Sequence, residues 1–505
     1  MRSRAFKLIS LVLVLVMCFG MLVACGKKEQ ENGGVGEQTT PAGNEVSTDS
    51  SNEADKYDAN GYLKDDLPEN ADYGGKDMTI YLWADQKSWE FVDTDKYPTA
   101  ILDQALYNRE MNVEARFNIK INIVTQKGSW DDRKTFIQTL ANSISGGERA
   151  FDAVGQYTPA VGIGVTQGLY RDLLTVENID PDKPWWPTHA VSTATVGGKV
   201  FSLTGDISAT LIRNVQCMFV NTELYESYNL SQYADGRDIY DVVRDYDWTL
   251  ETMKELALNH VGSNEGVEDS KKMYGFSILN HVSADGFLYS GGFKMIEDKN
   301  GKISLADDLS ELTFSDWFDS VHELYAGDLQ DVYSKDSGGR NIFEQGRSIF
   351  FTGSVSDSQA LAQKGVQFTI LPMPMREKDQ GAYYTCASQW VTMYSVPINV
   401  KDPALSGLLI EALASEAYRT VTETVYYNLF QIRYNSGGNE DSAEMFDIVS
   451  DSVVFDTSRI FSDALECFAQ FRNTVVNPEG SWSVNYSANS GTWKKNVTKL
   501  IALVG

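Results

Sequence analysis

Beyond residue 77 the chain switches between two hydrophobic periods. Met78-Thr79-Ile80-Tyr81-Leu82-Trp83 repeats at period two and predicts a strand. Across Pro98–Val113, Ile101, Leu102, Ala105 and Leu106 recur at helical spacing. Phe117, Ile119, Ile121 and Ile123 alternate again as a second strand. Asp131–Ser145 gathers Phe136, Ile137, Leu140 and Ile144 on one helical face and stops at Gly146-Gly147. Phe151-Asp152-Ala153-Val154 predicts a short third strand. Strand, helix, strand, helix, strand implies a largely parallel sheet covered by helices. Sheets of this kind hold ligands beyond the carboxyl ends of their strands. That rule singles out Asp85 to Trp89 after the first strand and Gln156-Tyr157 after the third.

The first 76 residues follow neither period. Arg2, Arg4 and Lys7 precede an almost unbroken apolar run from Leu8 to Ala24, 17 residues long. A charged start, a short apolar core and small residues at its end describe an export signal. A membrane anchor is the competing reading, and this run sits at the lower edge of spanning length. Leu22-Val23-Ala24-Cys25 resembles a bacterial lipobox, which implies cleavage after residue 24 and a lipid (diacylglyceryl and palmitate) on Cys25. The expected location is the outer face of the cell membrane. From 25 to 76 the chain is rich in Gly, Glu, Asn, Ser, Thr and Asp, with no aromatic residue before Tyr57. It predicts a flexible polar tether, since so little apolar area cannot offset the entropy of ordering. As a coil it would reach roughly 40 Å.

Charge narrows the choice of partners. The 43 Lys and Arg face 70 Asp and Glu, and losing Arg2, Arg4 and Lys7 with the signal takes the net charge from −27 to −30. Such a body repels phosphate backbones, so nucleic acid is not an expected partner. At 505 residues the chain is long for one domain. Cys217, Cys386 and Cys467 cannot all pair with one another, and none lies in C-x-x-C, so they are expected to be buried small apolar residues.

Seven further pieces occur in order along the chain. They are Phe151-Asp152-Ala153-Val154 leading to Gly168-Leu169-Tyr170-Arg171-Asp172-Leu173, then Gly198-Lys199-Val200-Phe201, then Phe219-Val220-Asn221-Thr222-Glu223-Leu224. Tyr246-Asp247-Trp248-Thr249-Leu250-Glu251, Phe343-Glu344-Gln345-Gly346-Arg347-Ser348-Ile349-Phe350 and Leu371-Pro372 complete the series. Each is weak alone. Together, over residues 78 to 420, they resemble the family 1 extracellular solute-binding proteins of ABC importers, the maltose-binding-protein-like type. Trp248 and Thr249 stand in exchanged order relative to that pattern.

The resemblance implies an α/β, two-lobe periplasmic-binding (type II) clamshell, each lobe a mixed sheet flanked by helices. Lobe one would hold 77–212 and about 388–435, and lobe two 216–384 and about 440–505. Closure of the lobes on a solute would then be sensed by a permease. The resemblance places Asn214 at a crossing between lobes, Trp390 at another, and Asn280, Asp285 and Tyr289 in a ligand-contacting loop. Where maltose-binding proteins carry an aromatic stacker, this chain has Thr352-Gly353-Ser354-Val355. That departure leaves Ser354 as the candidate contact, maltodextrin specificity unsupported and the general fold untouched. Trp482 is the candidate to supply the missing platform. Aromatic faces beside carboxylate or amide groups suit sugars, so Trp89 beside Asp85, with Tyr157, joins the expected contacts. Pro184-Trp185-Trp186-Pro187 is either a further rim or core packing.

Motifs for chemistry are missing from the sequence. The four histidines form no H-E-x-x-H, and there is neither G-x-S-x-G nor a phosphate-binding G-x-x-x-x-G-K-[ST]. A calcium loop around Gly301 would put Ile296 at its first ligand position, so a hairpin turning at Asn300-Gly301 is the better reading. The expectation is therefore a binding protein and not an enzyme, without cofactor or metal. It would be a monomer that captures a mono- or oligosaccharide and delivers it to permease subunits. Amino-sugars, peptides and polyamines stay open as ligands. A secreted glycoside hydrolase and a lipoprotein presenting ligand to a membrane sensor are the rivals.

Overall fold

The computed structural model describes residues 56–93, 97–258, 261–279, 281–299, 301–325, 330–331, 338–426 and 440–505. Cys25, the export signal, most of the tether and Asn280 lie outside them. Residues 1–61 form one unit and Tyr62–Gly505 a second, compact one. In the first, the Gly61 N–H donates to the Asp58 carbonyl in a tight turn (3.1 Å).

The body begins earlier than composition suggests. Asp65 takes a bidentate pair from Arg116 (2.7 and 2.8 Å), and the Tyr73 N–H donates to the Phe117 carbonyl (3.0 Å). Leu67 is buried. Residues 62–75, assigned to the tether by their polarity, are thus fastened to the first helix by one ion pair and a few backbone bonds.

The first sheet follows. β1 (Lys76–Trp83) leads to α1 (Ile101–Phe117), β2 (Ile119–Gln126), α2 (Arg133–Ser145) and β3 (Ala153–Tyr157). β1 runs parallel to both β2 and β3, so the predicted parallel sheet forms. It is covered on both faces, which is why Ile80 to Trp83 are all buried. α1 stops at Asn118 in a left-handed conformation (φ 46°), and α2 ends at Gly146. The third strand is displaced from its predicted position. It runs on through Gln156 and Tyr157, while Asp152 stays outside it, its N–H donating to the Thr79 carbonyl and its carboxylate accepting from the Thr79 N–H (both 2.8 Å). α3 (Thr158–Thr166) follows at once, with seven of its nine residues buried.

The second sheet is built from β4 (Gln216–Asn221), β5 (Tyr274–Ile278), β8 (Gln330–Asp331), β9 (Ser348–Ser354) and β10 (Phe368–Leu371). α4 (Thr222–Ser227), α5 (Leu250–Leu258), α6 (Asp285–Ser290), the hairpin β6 (Ile296–Lys299) and β7 (Lys302–Leu305), α7 (Leu312–Leu324) and α8 (Gly338–Glu344) lie between them. The order is β8-β5-β9-β4-β10, with β4 antiparallel to both neighbours. β11 (Thr392–Ser395) returns to the first sheet as an antiparallel strand beside β3.

Several of the sequence pieces acquire a physical cause here. The Asn221 side chain accepts from the Leu224 N–H (2.9 Å) and caps α4. Asp172 accepts from Leu174 and Val200 N–H groups, joining two of the pieces. The Trp248 indole donates to the Pro372 carbonyl (2.9 Å), joining two more. The hairpin pairs Lys299 with Lys302 across a two-residue loop that ends at Gly301 (φ 77°), as predicted. Trp185 and Trp186 are core, both indoles donating to the Glu411 carboxylate (2.8 and 3.0 Å). The three body cysteines are free and buried.

α9 (Pro403–Arg419) packs on α1, and α10 (Glu440–Asp451) packs on β10. α11 (Thr457–Ile460) and α12 (Ser462–Leu465) pack on α3, followed by α13 (Gln470–Val475) and α14 (Trp482–Val504). No helix among the described residues is long and apolar enough to cross a membrane.

Candidate functional site

Three chain segments that pass between the sheets lie side by side. Val215 bridges to Ala387, and Thr385–Cys386 pairs in parallel with Val453–Val454. The Ser388 N–H donates to the Asn214 carbonyl (2.9 Å), while the Asn214 side chain donates to the Trp390 carbonyl (2.9 Å). A thin ribbon of this kind is what a hinge needs, since a few backbone dihedrals can absorb a rigid-body rotation. Glu90 anchors it to the first sheet. Its buried carboxylate accepts from the Ser208 and Thr210 hydroxyls (both 2.8 Å) and from the Tyr394 hydroxyl (2.9 Å). Burial pushes the Glu90 pKa up, and the Thr392, Ser208 and Thr210 hydroxyls and the Arg109 charge pull against it.

Beside this ribbon an aromatic triangle forms at the ends of β1 and β3. Trp83 and Tyr157 lie 5.1 Å apart between ring centroids, Trp83 and Trp390 5.8 Å, and Tyr157 and Trp390 5.6 Å. Trp83 is fixed by its indole N–H on the Thr392 hydroxyl (2.9 Å). Trp390 is half-buried and forms the accessible side of the triangle.

Next to it lies a buried polar cluster. Arg459 and Arg472 both donate to Asp285 Oδ2 (3.2 and 2.7 Å). Arg459 also donates to the Tyr289 hydroxyl (3.3 Å) and faces the Cys386 sulfur (2.9 Å). Tyr289 in turn donates to Asp456 (3.2 Å). Burial opposes the Arg459 charge, but Cys386, Tyr289 and Asp285 outweigh it and raise its pKa. Burial raises the Tyr157 pKa, and the charges of Arg472 and Arg459 pull it down, so the triangle and the cluster share one electrostatic neighbourhood. His281 belongs to it too, its pKa lowered by burial and by Arg472.

The predicted contacts divide into groups. Tyr157 and Trp390 meet at the triangle, Asp285 and Tyr289 meet at the arginine cluster, and Asn214 holds the ribbon between them. Asp85 is exposed and accepts from the Gly128 N–H (2.8 Å), tying the loop after β1 to the loop after β2. Trp89 is half-buried beneath the Arg213 guanidinium, 4.0 Å from its ring centroid. Ser354 ends β9, its N–H donating to Asp357 (2.8 Å). Trp482 stands apart, packed on Phe314 (4.8 Å) with its indole on the Leu309 carbonyl (2.8 Å).

Three residues beside these groups were not among the expected contacts. Trp130, 39% exposed after β2, presents one ring face to Arg133 at 3.8 Å, and Arg133 pairs twice with Asp463 (2.9 and 3.0 Å). The sheet-end rule that found Asp85 finds Trp130 too if extended to the second strand. Arg459 and Arg472 carried no signal, because a buried arginine in a polar stretch reads as a surface one.

The sequence profile described as bacterial extracellular solute-binding protein matches residues 111–425, well over half of the chain. No curated protein matches. Among solved structures, the GacH receptor of Streptomyces glaucescens, determined unliganded and with acarbose, aligns at TM-score 0.54 and 13% identity over 84% of this chain and 99% of its own. A cyclo/maltodextrin-binding protein complexed with maltotetraose aligns at TM-score 0.52 and 13% identity, covering 85% and 97%. The galacto-N-biose/lacto-N-biose I-binding protein of the ABC transporter from Bifidobacterium longum, in complex with lacto-N-biose, gives 0.52 and 13%, covering 85% and 98%. At such identity the likeness shows the fold, the two-lobe fold that the ordered sequence pieces implied. With the profile match, the chain belongs to the bacterial extracellular solute-binding protein family.

Proposed function

We propose that the chain is the solute-capturing component of an ABC importer, tethered to the membrane by a lipid on Cys25, with an oligosaccharide as its ligand. The observation that carries this reading is the aromatic triangle of Trp83, Tyr157 and Trp390 beside the hinge ribbon, next to a dense set of buried hydrogen-bonding groups. Sugars present apolar C–H faces rimmed by hydroxyls, which an aromatic platform with polar neighbours recognises. The saccharides held by the structural relatives support the same class. Ligand would stabilise the closed arrangement of the lobes, and the closed arrangement would dock on the permease.

A thermal-shift screen of the chain from residue 25, with Cys25→Ser, tests the reading against sugars, oligosaccharides, peptides and polyamines. A solute that binds only the folded state raises its melting temperature with concentration. The expected result is a concentration-dependent shift from one saccharide class, with the saccharide recovered unchanged. Consumption of the saccharide would overturn the binding-protein reading. The anchor has its own test. The full chain made in a bacterial cell should take up radiolabelled palmitate and stay with membranes, and C25S should do neither.

A further inference from the structure

The cluster beside the triangle holds more cationic donors than its own acceptors satisfy. Arg459 and Arg472 are 3% and 6% exposed, and both direct an N–H to the same oxygen, Asp285 Oδ2. The other carboxylate nearby, Asp456, is engaged by the Met295 N–H (2.8 Å), the Tyr289 hydroxyl and the Ser458 N–H (2.7 Å). Arg459 Nη1, Arg472 Nε and the Tyr157 hydroxyl remain buried without a hydrogen-bond partner. Burying a donor unpaired is costly, most of all on a charged group, so two guanidinium N–H donors and one neutral hydroxyl left over in one neighbourhood point to an acceptor-rich group brought by a ligand. The two guanidinium groups are also held in place. Both lie over the Phe468 ring, 5.1 and 4.9 Å from its centroid, which fixes their planes. This pair runs against the composition, because a chain of net charge −27 repels anions at long range.

We propose that this subsite receives the oxyanion of an acidic saccharide, the carboxylate of a uronic-acid unit, on Arg459 and Arg472, with the sugar ring against Trp390. The proposal rests on the saccharide reading above and narrows it. A sulfate ester offers the same oxygen geometry to a guanidinium fork, so the experiment includes both sources.

Isothermal titration of the chain from residue 25, with Cys25→Ser, uses trigalacturonate, its methyl ester, maltotriose and a sulfated disaccharide as probes. Trigalacturonate should bind at least about 30-fold more tightly than its uncharged ester, the order expected for a charge-assisted pair. Arg472→Lys, which keeps a cation opposite Asp285 but loses the fork, should remove most of that preference. The comparison of acid with ester on the unmutated chain needs no variant to fold. Binding of the sulfated disaccharide alone supports the oxyanion subsite and assigns its source to a sulfate ester. Equal affinity for acid and ester, or binding of maltotriose with none of the acidic sugars, overturns the proposal and leaves the saccharide reading standing. A chain that binds peptides or polyamines and no saccharide overturns both.

Discussion

Burial gives single side chains in this protein their clearest physical signatures. Glu411 accepts from two indoles and from the Asp180 N–H (3.4 Å), yet burial still pushes its pKa up from 4.5 to about 7. Between those values the folded chain binds more protons at this site than the unfolded chain, so stability falls as pH rises through that window. The shift corresponds to a loss on the order of 3 kcal/mol. Glu110, also raised by burial to about 7, contributes in the same direction. Melting temperature should therefore drop between pH 5 and pH 8, and Glu411→Gln should show a smaller drop from a lower starting point. An unchanged slope in that variant would remove Glu411 as a cause.

Trp482 and Trp390 separate core from site. Trp482→Phe leaves the Leu309 carbonyl without its indole donor and should cost about 1–3 kcal/mol in a urea titration, with ligand affinity unchanged. Trp390→Ala should weaken saccharide binding by about tenfold or more. The reverse pattern would place the ligand near α14. Tyr157 was singled out by its place after a strand end, and Trp390 and Trp482 only through the resemblance; the fold sets Tyr157 and Trp390 side by side and packs Trp482 into the core on Phe314. Arg459 and Arg472 lay beyond both, since nothing local distinguishes an arginine that pairs across the fold.

Legibility among the elements depended on whether a segment had two different faces. β1, α1, β2 and α2 have a marked pattern or marked ends and all four were read, although Phe117, taken as the start of the second strand, is the last residue of α1. α3 was not, because Thr158-Pro159-Ala160-Val161-Gly162-Ile163-Gly164-Val165 is apolar on every side and contains two glycines that weaken a helix signal. Those glycines are there for contact. A Cβ on Gly162 would run into the Ile460 carbonyl of α11, and one on Gly164 into the Tyr170 ring. Gly162→Val should force α3 and α11 apart and cost about 1–3 kcal/mol, read as a lower urea midpoint. A midpoint equal to that of the parent chain would show that the two helices have room to spare. Resemblance located what periodicity could not, the pieces of the second sheet, and three of them proved to hold a helix cap or a hydrogen bond between distant segments.

Among the described residues of the unit from Tyr62 to Gly505, the two main sheets are joined by a ribbon of three strand-like segments, with the Trp83, Tyr157 and Trp390 triangle and Arg459 and Arg472 beside it. Solute capture by such a body requires motion. In the proposed closure the two sheets rotate about the 215, 387 and 453 segments, and a ligand favours the closed arrangement over the open one. Glu90 makes the anchored side of that rotation stiff, because three hydroxyls from two segments converge on one buried carboxylate. The long-range order of the fold was visible only through the ordered sequence pieces, since no local pattern records which strands share a sheet.

Small-angle X-ray scattering of the chain from residue 25, with Cys25→Ser, free and saturated with the saccharide that shifts its melting temperature, decides whether capture closes the two sheets on the ligand. The bound form should have a smaller radius of gyration, with the saccharide recovered intact afterwards. Saturating binding with an unchanged radius would contradict capture by closure, and a degraded saccharide would contradict binding without chemistry.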